Sequence, residues 1–391
     1  MVFPISYFIF PMLDIFKETI DALQHEPRVM LATIISTSGS TPASALSKML
    51  IKNDCTSLVG TVGGGCMEAD VAEHAKIIYP ENIAKIVSYR LVEDGIEQGL
   101  ICGGTLTILI EPVTKESVPL LTHLRTLRDE GEDCVLVTIL TEGGSKIEKI
   151  IIGHPDDEGR FPYDVKAMTV KGLISKVSPI DADVEGLVRT VYQKGETQHL
   201  QTDAFELILE PMMGKPSLVI FGGGHVSKFV SRTAAMAGFG VTVIDDREMF
   251  ANAKRFPEAE KTIAVEYENA FDQVTVKPST YIVIVTRGHR YDEIVLEQAV
   301  RTPAMYIGMI GSRRKVFTTY QHLAERGTPV ASLKKVYAPV GIDIGAVTAE
   351  EIGVSIVAEL IKIRRTESEK TGHKSDVMQS LFYKLEKNSI S

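Results

Sequence analysis

Two of the four cysteines lie among glycines, where a thiol is free to react. Cys66 follows three glycines and begins a helix-like stretch, so its sulfur lies near a helix N-terminus, where the helix dipole favours the thiolate. Cys102 lies in a glycine-flanked turn ahead of a strand, and if the two loops share one end of a sheet, both sulfurs face one ligand. The residues predicted for this site are Gly64, Gly65, Cys66, Glu68, Cys102 and Gly103.

Other roles for these thiols stay open. Buried cysteines are common and inert, so either residue has a packing role as its ordinary alternative. Zinc is a lesser alternative, because a structural zinc site needs four ligands at characteristic spacing and the chain has no Cys-x-x-Cys motif. Cys55 and Cys134 lack the glycine context, and we expect them to be packing residues.

A second glycine loop indicates phosphate binding. The apolar strand Leu218–Phe221 leads into a loop and then a helical stretch, and Gly222 and Gly224 match the first two glycines of G-x-G-x-x-G. Glycines there let the backbone approach a phosphate at the helix N-terminus. Ser227 replaces the third glycine with another small residue, and His225 lies within the loop.

Two acidic residues follow the next strand at the spacing of a dinucleotide site. Asp245 and Asp246 come about twenty residues after the glycine loop, where a carboxylate accepts hydrogen bonds from ribose hydroxyls. This favours NAD-like ligands with an unphosphorylated ribose, because a carboxylate repels a 2′-phosphate, while Arg247 leaves a phosphorylated ribose open. The alternative is a solvated strand end.

Basic residues follow two further strands, where the carboxyl ends of a doubly wound sheet bind ligands. Tyr281–Thr286 precedes Arg287 and His289, and Tyr306–Ile310 precedes a cluster of cations suited to phosphate oxygens. The predicted residues of the cluster are Ser312, Arg313 and Arg314. A solvated helix start is the alternative.

The elements that position the thiols form a repeat. Residues 32–40 resemble residues 137–145, and residues 108–112 resemble residues 207–211, in the same order. Only the first copy carries the two cysteine loops, so the second copy is predicted to be scaffold.

The predicted fold class is α/β, with a C-terminal Rossmann-like doubly wound parallel sheet and a duplicated N-terminal α+β domain. The predicted limits are 1–211 for the N-terminal domain, with half-units of about 12–115 and 116–211, and 212–391 for the nucleotide-binding domain. Within the first half-unit, the strand that starts at Thr105 is expected to end at Pro112. A capping box at Thr348 and Glu351 predicts a helix through Ile363.

Composition excludes several classes of protein. The 51 acidic residues exceed the 42 basic ones and give a net charge of −9, which disfavours a nucleic-acid partner. Four cysteines without a secretory signal favour reduced thiols in the cytoplasm. Residues 1–11 are apolar but too short to span a bilayer, so we expect no membrane anchor and a functional start near Met12.

Together, the motifs resemble the xanthine dehydrogenase accessory family, XdhC/CoxI, over nearly the whole chain after Met12. The segments that carry the resemblance are Gly63–Glu68, Cys102–Gly104, Phe221–His225, Asp245–Arg247, Thr286–His289 and Ile310–Lys315. The match is poorest over about 113–201.

The resemblance implies a maturation factor for purine catabolism rather than an enzyme. Family members bind the molybdenum cofactor, as molybdopterin or its dinucleotide form, support its sulfuration with a cysteine desulfurase, and insert it into xanthine dehydrogenase. It also implies a homodimer. Cys66 and Cys102 would then face the molybdenum, while the Rossmann loop holds the phosphate tail.

Three other functions stay open. One is an NAD(P)-binding oxidoreductase that uses His225 or His289 as acid or base, although no catalytic set is defined for it. The others are a purely structural adaptor and a xanthine dehydrogenase-associated subunit. The dehydrogenase itself is excluded, because four scattered cysteines cannot supply its iron–sulfur clusters.

Overall fold

The structure, a computed structural model, describes residues 14–52, 57–90, 104–153, 163–164, 181–203 and 205–365. It divides into two compact units, Leu13–Gly214 and one that begins at Lys215. Within the described ranges the first unit has two antiparallel five-stranded sheets and the second has a parallel five-stranded sheet. The predicted fold class is therefore confirmed. None of the described helices is long and apolar enough to cross a membrane.

The two sheets of the first unit have the same strand order. The first is β3-β2-β1-β5-β4 and the second is β8-β7-β6-β10-β9. The strands of the first sheet are β1 (Arg28–Ser38), β2 (Lys48–Ile51), β3 (Leu58–Gly60), β4 (Lys85–Arg90) and β5 (Thr105–Thr114). Those of the second are β6 (Cys134–Thr141), β7 (Lys146–Gly153), β8 (Tyr163–Asp164), β9 (Gln198–Gln201) and β10 (Phe205–Met212).

The helices repeat in the same way. A helix precedes each sheet, α1 (Ile15–His25) and α3 (Val118–Asp129), and another follows the third strand, α2 (Gly65–Ile78) and α4 (Asp181–Lys194). The segments matched in the sequence, 32–40 with 137–145 and 108–112 with 207–211, begin on equivalent strands. This common order is what a duplicated unit produces.

Two buried ion pairs join the two sheets reciprocally. The Lys48 ammonium on β2 contacts Thr33 at 3.0 Å and Glu210 of the second sheet at 2.5 Å. Lys149 on β7 contacts Thr138 at 3.0 Å and Glu111 of the first sheet at 2.8 Å. Each half therefore supplies a lysine to the other half's glutamate. Such pairs favour one relative register, because a wrong register leaves a charge buried without its counter-charge.

Asp14 links α1 to α3 through hydrogen bonds of its carboxylate. Its carboxylate caps α1 through the amide of Lys17 and accepts hydrogen bonds from Arg125 at 2.9 Å and Arg128 at 2.7 Å. Burial raises the pKa of Asp14, but the hydrogen bonds from Arg128, Lys17 and Arg125 outweigh it and lower the pKa to about 2. The carboxylate is therefore charged at neutral pH.

The strand expected to end at Pro112 continues to Thr114, so that expectation is wrong. Pro112 lies opposite Met30 of β1, whereas β4 pairs with β5 only through Ile110. Beyond Ile110, β5 therefore makes no backbone hydrogen bonds with β4. A proline is tolerated there, because no strand on that side needs its missing N–H.

The second unit is a doubly wound sheet in the order β13-β12-β11-β14-β15, with every neighbouring pair parallel. Its strands are β11 (Ser217–Phe221), β12 (Gly240–Asp245), β13 (Lys261–Ala264), β14 (Thr280–Ile284) and β15 (Tyr306–Met309). The helices are α5 (His225–Met236), α6 (His289–Ala299), α7 (Arg313–Glu325), α8 (Val330–Leu333) and α9 (Ala349–Arg365). Thr348 and Glu351 form the predicted capping box of α9.

Buried aliphatic strands make the sheet the centre of this unit. Residues of α6 and α7 pack with Val219 on one face, and residues of α5 and α9 pack with Leu218 on the other. The strand order reverses between β11 and β14. In an open α/β sheet this is the place where a ligand crevice forms, at the carboxyl ends of the strands.

Lys149→Met tests the reciprocal ion pairs. It leaves Glu111 buried without its counter-charge, so we expect the free energy of unfolding to fall by about 3 kcal/mol. Urea unfolding followed by circular dichroism measures the change. Lys146→Met on the same strand removes an exposed lysine and should cost no more than about 0.5 kcal/mol. Equal effects of the two substitutions would show that the buried pair does not hold the halves together.

Candidate functional site

Strand direction brings the Cys66 loop and the start of β5, which follows the Cys102 motif in the sequence, to one end of the first sheet. Because β1 is antiparallel to β2 and β5, and β2 is antiparallel to β3, the ends of β1 and β3 lie at the same edge as the start of β5. The Cys66 loop follows β3, and the Cys102 motif precedes β5. We call this edge the thiol end.

The glycines before Cys66 give the loop a backbone that other residues rarely adopt. Gly63, Gly64 and Gly65 have φ values of 132°, 83° and 47°. Among the described residues, no atom lies within 4 Å of a Cβ atom placed on Gly64 or Gly65, so these residues leave both glycines open to an approaching molecule. Cys66 is exposed in the first turn of α2, as predicted from its position after the glycines.

Glu68 stabilises this loop through hydrogen bonds. One of its carboxylate oxygens accepts hydrogen bonds from the Thr61 hydroxyl at 2.5 Å and from the Gly64 amide at 3.1 Å. The Thr61 oxygen in turn accepts from the Gly63 amide at 3.2 Å. Glu68 was predicted to bind cofactor, and the structure places it where it holds the glycine turn.

The loop after β1 lies against both thiol motifs. A Cβ atom on Gly63 would lie 3.0 Å from Pro42, and one on Gly104 would lie 2.6 Å from the Ser38 carbonyl oxygen. Gly63 and Gly104 thus both lie against the segment 38–42. Cys102 and Gly103 lie outside the described residues, as does Cys55, so the meeting of the two thiols stays a prediction.

Cys134 lies at the start of β6 and is buried. Burial, with a smaller contribution from Asp133, raises the pKa of its thiol to about 12. It is therefore an inert thiol at neutral pH. In the described part of the chain, no three His, Cys, Asp or Glu residues lie close enough together to hold a metal ion.

The second glycine loop lies at the crevice of the parallel sheet. Gly222 has φ of 108° and passes so close to Thr286 that a Cβ atom would lie 2.9 Å from its Cα atom. Ser227 is fully buried and donates a hydrogen bond to the Gly222 carbonyl at 2.5 Å, so it closes the loop from inside. Gly224 is open and precedes α5, whose first residue, His225, is exposed.

Asp245 contacts the glycine loop. Its Oδ2 atom accepts a hydrogen bond from the Gly223 amide at 2.7 Å, and Arg247 donates to both carboxylate oxygens. Burial raises the pKa of Asp245, but the hydrogen bonds from Arg247 and Gly223 outweigh it and lower the pKa below its usual range. The structure thus places Asp245 as a charged partner of the loop rather than as a free acceptor.

Asp246 is engaged by a second arginine. Arg287 forms a bidentate pair with it, with distances of 2.5 and 2.6 Å, and also donates to the Tyr291 hydroxyl at 2.7 Å. The hydrogen bonds to Asp246 raise the pKa of Arg287 above its usual range. Two residues predicted separately, after β12 and after β14, therefore form one ion pair.

A second helix N-terminus lies beside the first. Gly288 precedes α6 and is open, and the first residue of the helix, His289, is exposed. Since β14 is the neighbour of β11, the two helices start at adjacent strand ends on opposite faces of the sheet. Uncapped amides at such positions suit an anion.

A buried carboxylate links the loops after β14 and β15. Asp292, in the first turn of α6, accepts a hydrogen bond from the Thr286 hydroxyl at 2.7 Å and forms an ion pair with Lys315 of α7. Burial raises the pKa of Asp292, although Lys315 and Thr286 act in the opposite direction. Ser312 caps α7 by accepting from the Lys315 amide at 3.3 Å, and Arg313 and Arg314 are exposed.

Sequence reasoning missed Asp292 and Arg255 in this crevice, and it assigned Lys315 to the phosphate-binding cations rather than to a buried pair. Asp292 and Lys315 form the buried pair, and Arg255 donates to the carbonyls of Gly223 and Gly224 at 2.8 and 3.1 Å. Asp292 had one signal, since it falls among apolar residues on the buried face of a helix. Arg255 had none, because its partners are 31 and 32 residues earlier in the chain.

Comparisons with known proteins agree with this architecture. A sequence model of the XdhC Rossmann domain matches residues 218–360, and one of the XdhC and CoxI family matches residues 22–90. The chain is 28% identical over 361 residues to a probable xanthine dehydrogenase subunit of Bacillus subtilis (strain 168), covering 90% of this chain and 98% of that protein. It is 21% identical over 355 residues to the molybdenum cofactor insertion chaperone PaoD of Escherichia coli (strain K12), covering 91% and 89%.

A solved structure shares the fold. The crystal structure of a xanthine dehydrogenase from Bacillus halodurans superposes with a TM-score of 0.72 at 24% identity, covering 91% of this chain and 97% of that one.

Alkylation distinguishes the two described thiols. Exposed Cys66 should react with iodoacetamide in the native protein, whereas Cys134 should react only after unfolding, because its thiol is buried and protonated. Peptide mass spectrometry before and after denaturation measures both. Native labelling of Cys134 at the rate of Cys66 would contradict the structure.

Lys315→Met tests the buried pair through its pH dependence. A carboxyl whose pKa is raised in the folded state stabilises the fold below its unfolded pKa and loses this contribution as pH rises through the folded value. Without Lys315 the pKa of Asp292 should rise further, so the variant should resemble wild type near pH 4 and lose stability toward pH 7, by about 3 kcal/mol. Urea unfolding at several pH values measures this, with exposed Arg314→Met as the control. A pH-independent difference would contradict a charged pair.

Proposed function

This chain belongs to the XdhC and CoxI family, and from that membership we propose that it is an accessory factor that handles the molybdenum cofactor for a xanthine dehydrogenase. The names of two relatives support this proposal. One is called a molybdenum cofactor insertion chaperone and the other a probable xanthine dehydrogenase subunit. Each aligns with about nine-tenths of this chain. The cofactor is the cargo of the protein in this proposal.

The observation that carries the proposal is the exposed Cys66 on an open glycine turn. The three positive φ angles and the hydrogen bond from Gly64 to Glu68 keep the turn in one shape, and no described residue has an atom within 4 Å of a Cβ placed on Gly64 or Gly65. A thiolate is a soft ligand, which suits molybdenum or a sulfur atom that is to be transferred. We assign Cys66 to this contact, with Cys102 as its predicted second thiol.

The Rossmann unit is proposed to hold the phosphate end of the cofactor. The open amides at the starts of α5 and α6 suit phosphate oxygens, and exposed cations lie at the same edge of the sheet. Residues proposed for this role are Gly222, Gly224, His225, Arg287, His289, Ser312, Arg313 and Arg314. Ser227, Asp245 and Asp246 contribute by shaping the crevice.

The partners follow from the same proposal. A xanthine dehydrogenase would receive the cofactor, and a cysteine desulfurase would supply the sulfur for its sulfuration. A homodimer, a cytoplasmic location and a role in purine catabolism belong to this proposal as well.

An oxidoreductase is the second candidate, because the crevice contains a group that could exchange protons. Lys315 and Asp292 form a buried ion pair at the ligand edge of the sheet, and in this candidate function the pair would be the acid and base that the sequence alone does not define. His225 and His289 are exposed at the same edge. This candidate requires that the unit binds NAD(P).

Cofactor retention and transfer test the main proposal. We expect the purified protein to retain molybdopterin through gel filtration, as measured by pterin fluorescence. We expect Cys66→Ala to lower activation of an apo xanthine dehydrogenase by about tenfold or more. A loss of about 1.4 kcal/mol in the binding free energy of the cofactor has a tenfold effect.

The control for this experiment is Glu73→Ala, which changes an exposed residue of the same helix and should transfer normally. Circular dichroism checks the fold of each variant. Transfer by Cys66→Ala at the wild-type rate would remove Cys66 from the site. Retention of NAD without any pterin would favour the oxidoreductase.

A further inference from the structure

The groove beside a Rossmann glycine loop normally holds a ribose. It lies between that loop and the end of the second strand, where an acidic side chain accepts hydrogen bonds from the ribose hydroxyls. In this chain the corresponding residues are Gly222–Gly224 and Asp245. Whether a nucleotide fits depends on the acceptor positions that Asp245 has free and on the space above the loop.

Asp245 has every acceptor position in use. An ionised carboxylate offers about four lone-pair sites. Oδ1 accepts from the amide and the Nε atom of Arg247, at 3.0 and 2.8 Å. Oδ2 accepts from the Gly223 amide at 2.7 Å and from Nη2 of Arg247 at 3.1 Å. A ribose hydroxyl can bind only by displacing one of these donors.

The space above the loop is filled by the same stretch of chain. A Cβ atom on Gly223 would collide with the Phe250 carbonyl oxygen, so backbone lies directly against the loop. Arg255 donates to the carbonyls of Gly223 and Gly224. The Phe250 ring contacts both guanidinium groups, with the carbon atoms of Arg247 and Arg255 at 3.7 and 5.0 Å from its centroid. The three side chains form one layer over the groove.

The neighbouring carboxylate is also held by an arginine and is nearly buried, which hinders contact with a ribose hydroxyl. Asp246 is held by Arg287 through both of its oxygens, and its side chain is only 7% exposed. The two acidic residues are therefore matched by two arginines. Because both carboxylates are paired with arginines, they no longer repel a phosphate as unpaired carboxylates would.

We infer that Arg247, Phe250 and Arg255 form a latch that excludes a nucleotide ribose from the Rossmann unit, and that Arg247 determines this specificity. The ligand then enters with a terminal phosphate alone, at the open edge of Gly224. This inference rests on the proposed function and narrows it: the cargo is molybdopterin that ends in a phosphate, not its dinucleotide form.

The experiment compares three probes on the full-length protein. Molybdopterin with a terminal phosphate, its dinucleotide form and NADH are titrated separately, and dissociation constants are measured by fluorescence. We expect the dinucleotide form and NADH to bind at least about tenfold more weakly than the phosphate form, the factor that one lost hydrogen bond to a charged group produces.

Arg247→Ala should open the latch. It frees two acceptor positions on Asp245 and removes the guanidinium group that lies over the Phe250 ring. We therefore expect NADH to bind this variant about tenfold more tightly than it binds the wild-type protein. The double variant Arg247→Ala with Asp245→Ala should lose this gain. Arg232→Ala, which removes an exposed arginine of α5, should leave NADH binding at the wild-type value.

The outcomes separate the latch from the proposed function. Wild-type protein that binds NADH or the dinucleotide form as tightly as the phosphate form overturns the latch. Wild-type protein that binds no pterin overturns the proposed function, while the NADH titrations still test the latch. If Arg247→Ala does not fold, Arg247→Lys keeps the charge, loses the bidentate contact and should show the same direction of change.

Discussion

A carboxylate that is taken out of water must gather hydrogen-bond donors or give up its charge, and this requirement organises both units of the protein. In the N-terminal unit, Glu111 and Glu210 each pair with a lysine from the opposite half through one carboxylate oxygen. In the Rossmann unit, Asp245 is held by the Gly223 amide of the neighbouring loop and by Arg247 of its own loop, and Asp292 is held by Thr286 and Lys315. The glutamates therefore join the two sheets, and Asp292 joins the helices α6 and α7, where no backbone ladder makes the connection.

The same requirement sorts the residues of the site into two groups. Glu68 and Asp245 hold glycine turns, so their charge is used inside the protein. The groups left to meet a ligand are the exposed thiol of Cys66, the histidines that begin two helices, and open backbone amides. A turn held in this way is already in its binding shape, so little ordering entropy is lost when a ligand arrives.

The sequence predicts what depends on local pattern and misses what depends on side-chain partners far along the chain. Periodicity and turn residues locate the parallel sheet, the helix that begins near Cys66 and the capping box of α9. The expectation that β5 ends at Pro112 was wrong, because β5 can contain a proline beyond the point where its pairing with the neighbouring strand β4 ends. Spacing places Asp245 at the strand end, but its four donors come from Gly223 and Arg247 in their folded arrangement, which spacing does not contain.

The reciprocal pairs also explain why a half without a thiol loop belongs to the fold. The second half ends its first strand in a tight turn at Glu142–Gly144, where the first half has the longer loop that lies against Gly63 and Gly104. Removing that half would leave Lys48 and Glu111 in the first half without their buried counter-charges. It would also expose the apolar layer between the sheets, which includes Ile35 and Leu109. Ion pairs and apolar burial together therefore hold the second half to the first. With this support, the first half can carry a glycine-rich, weakly packed loop at its edge.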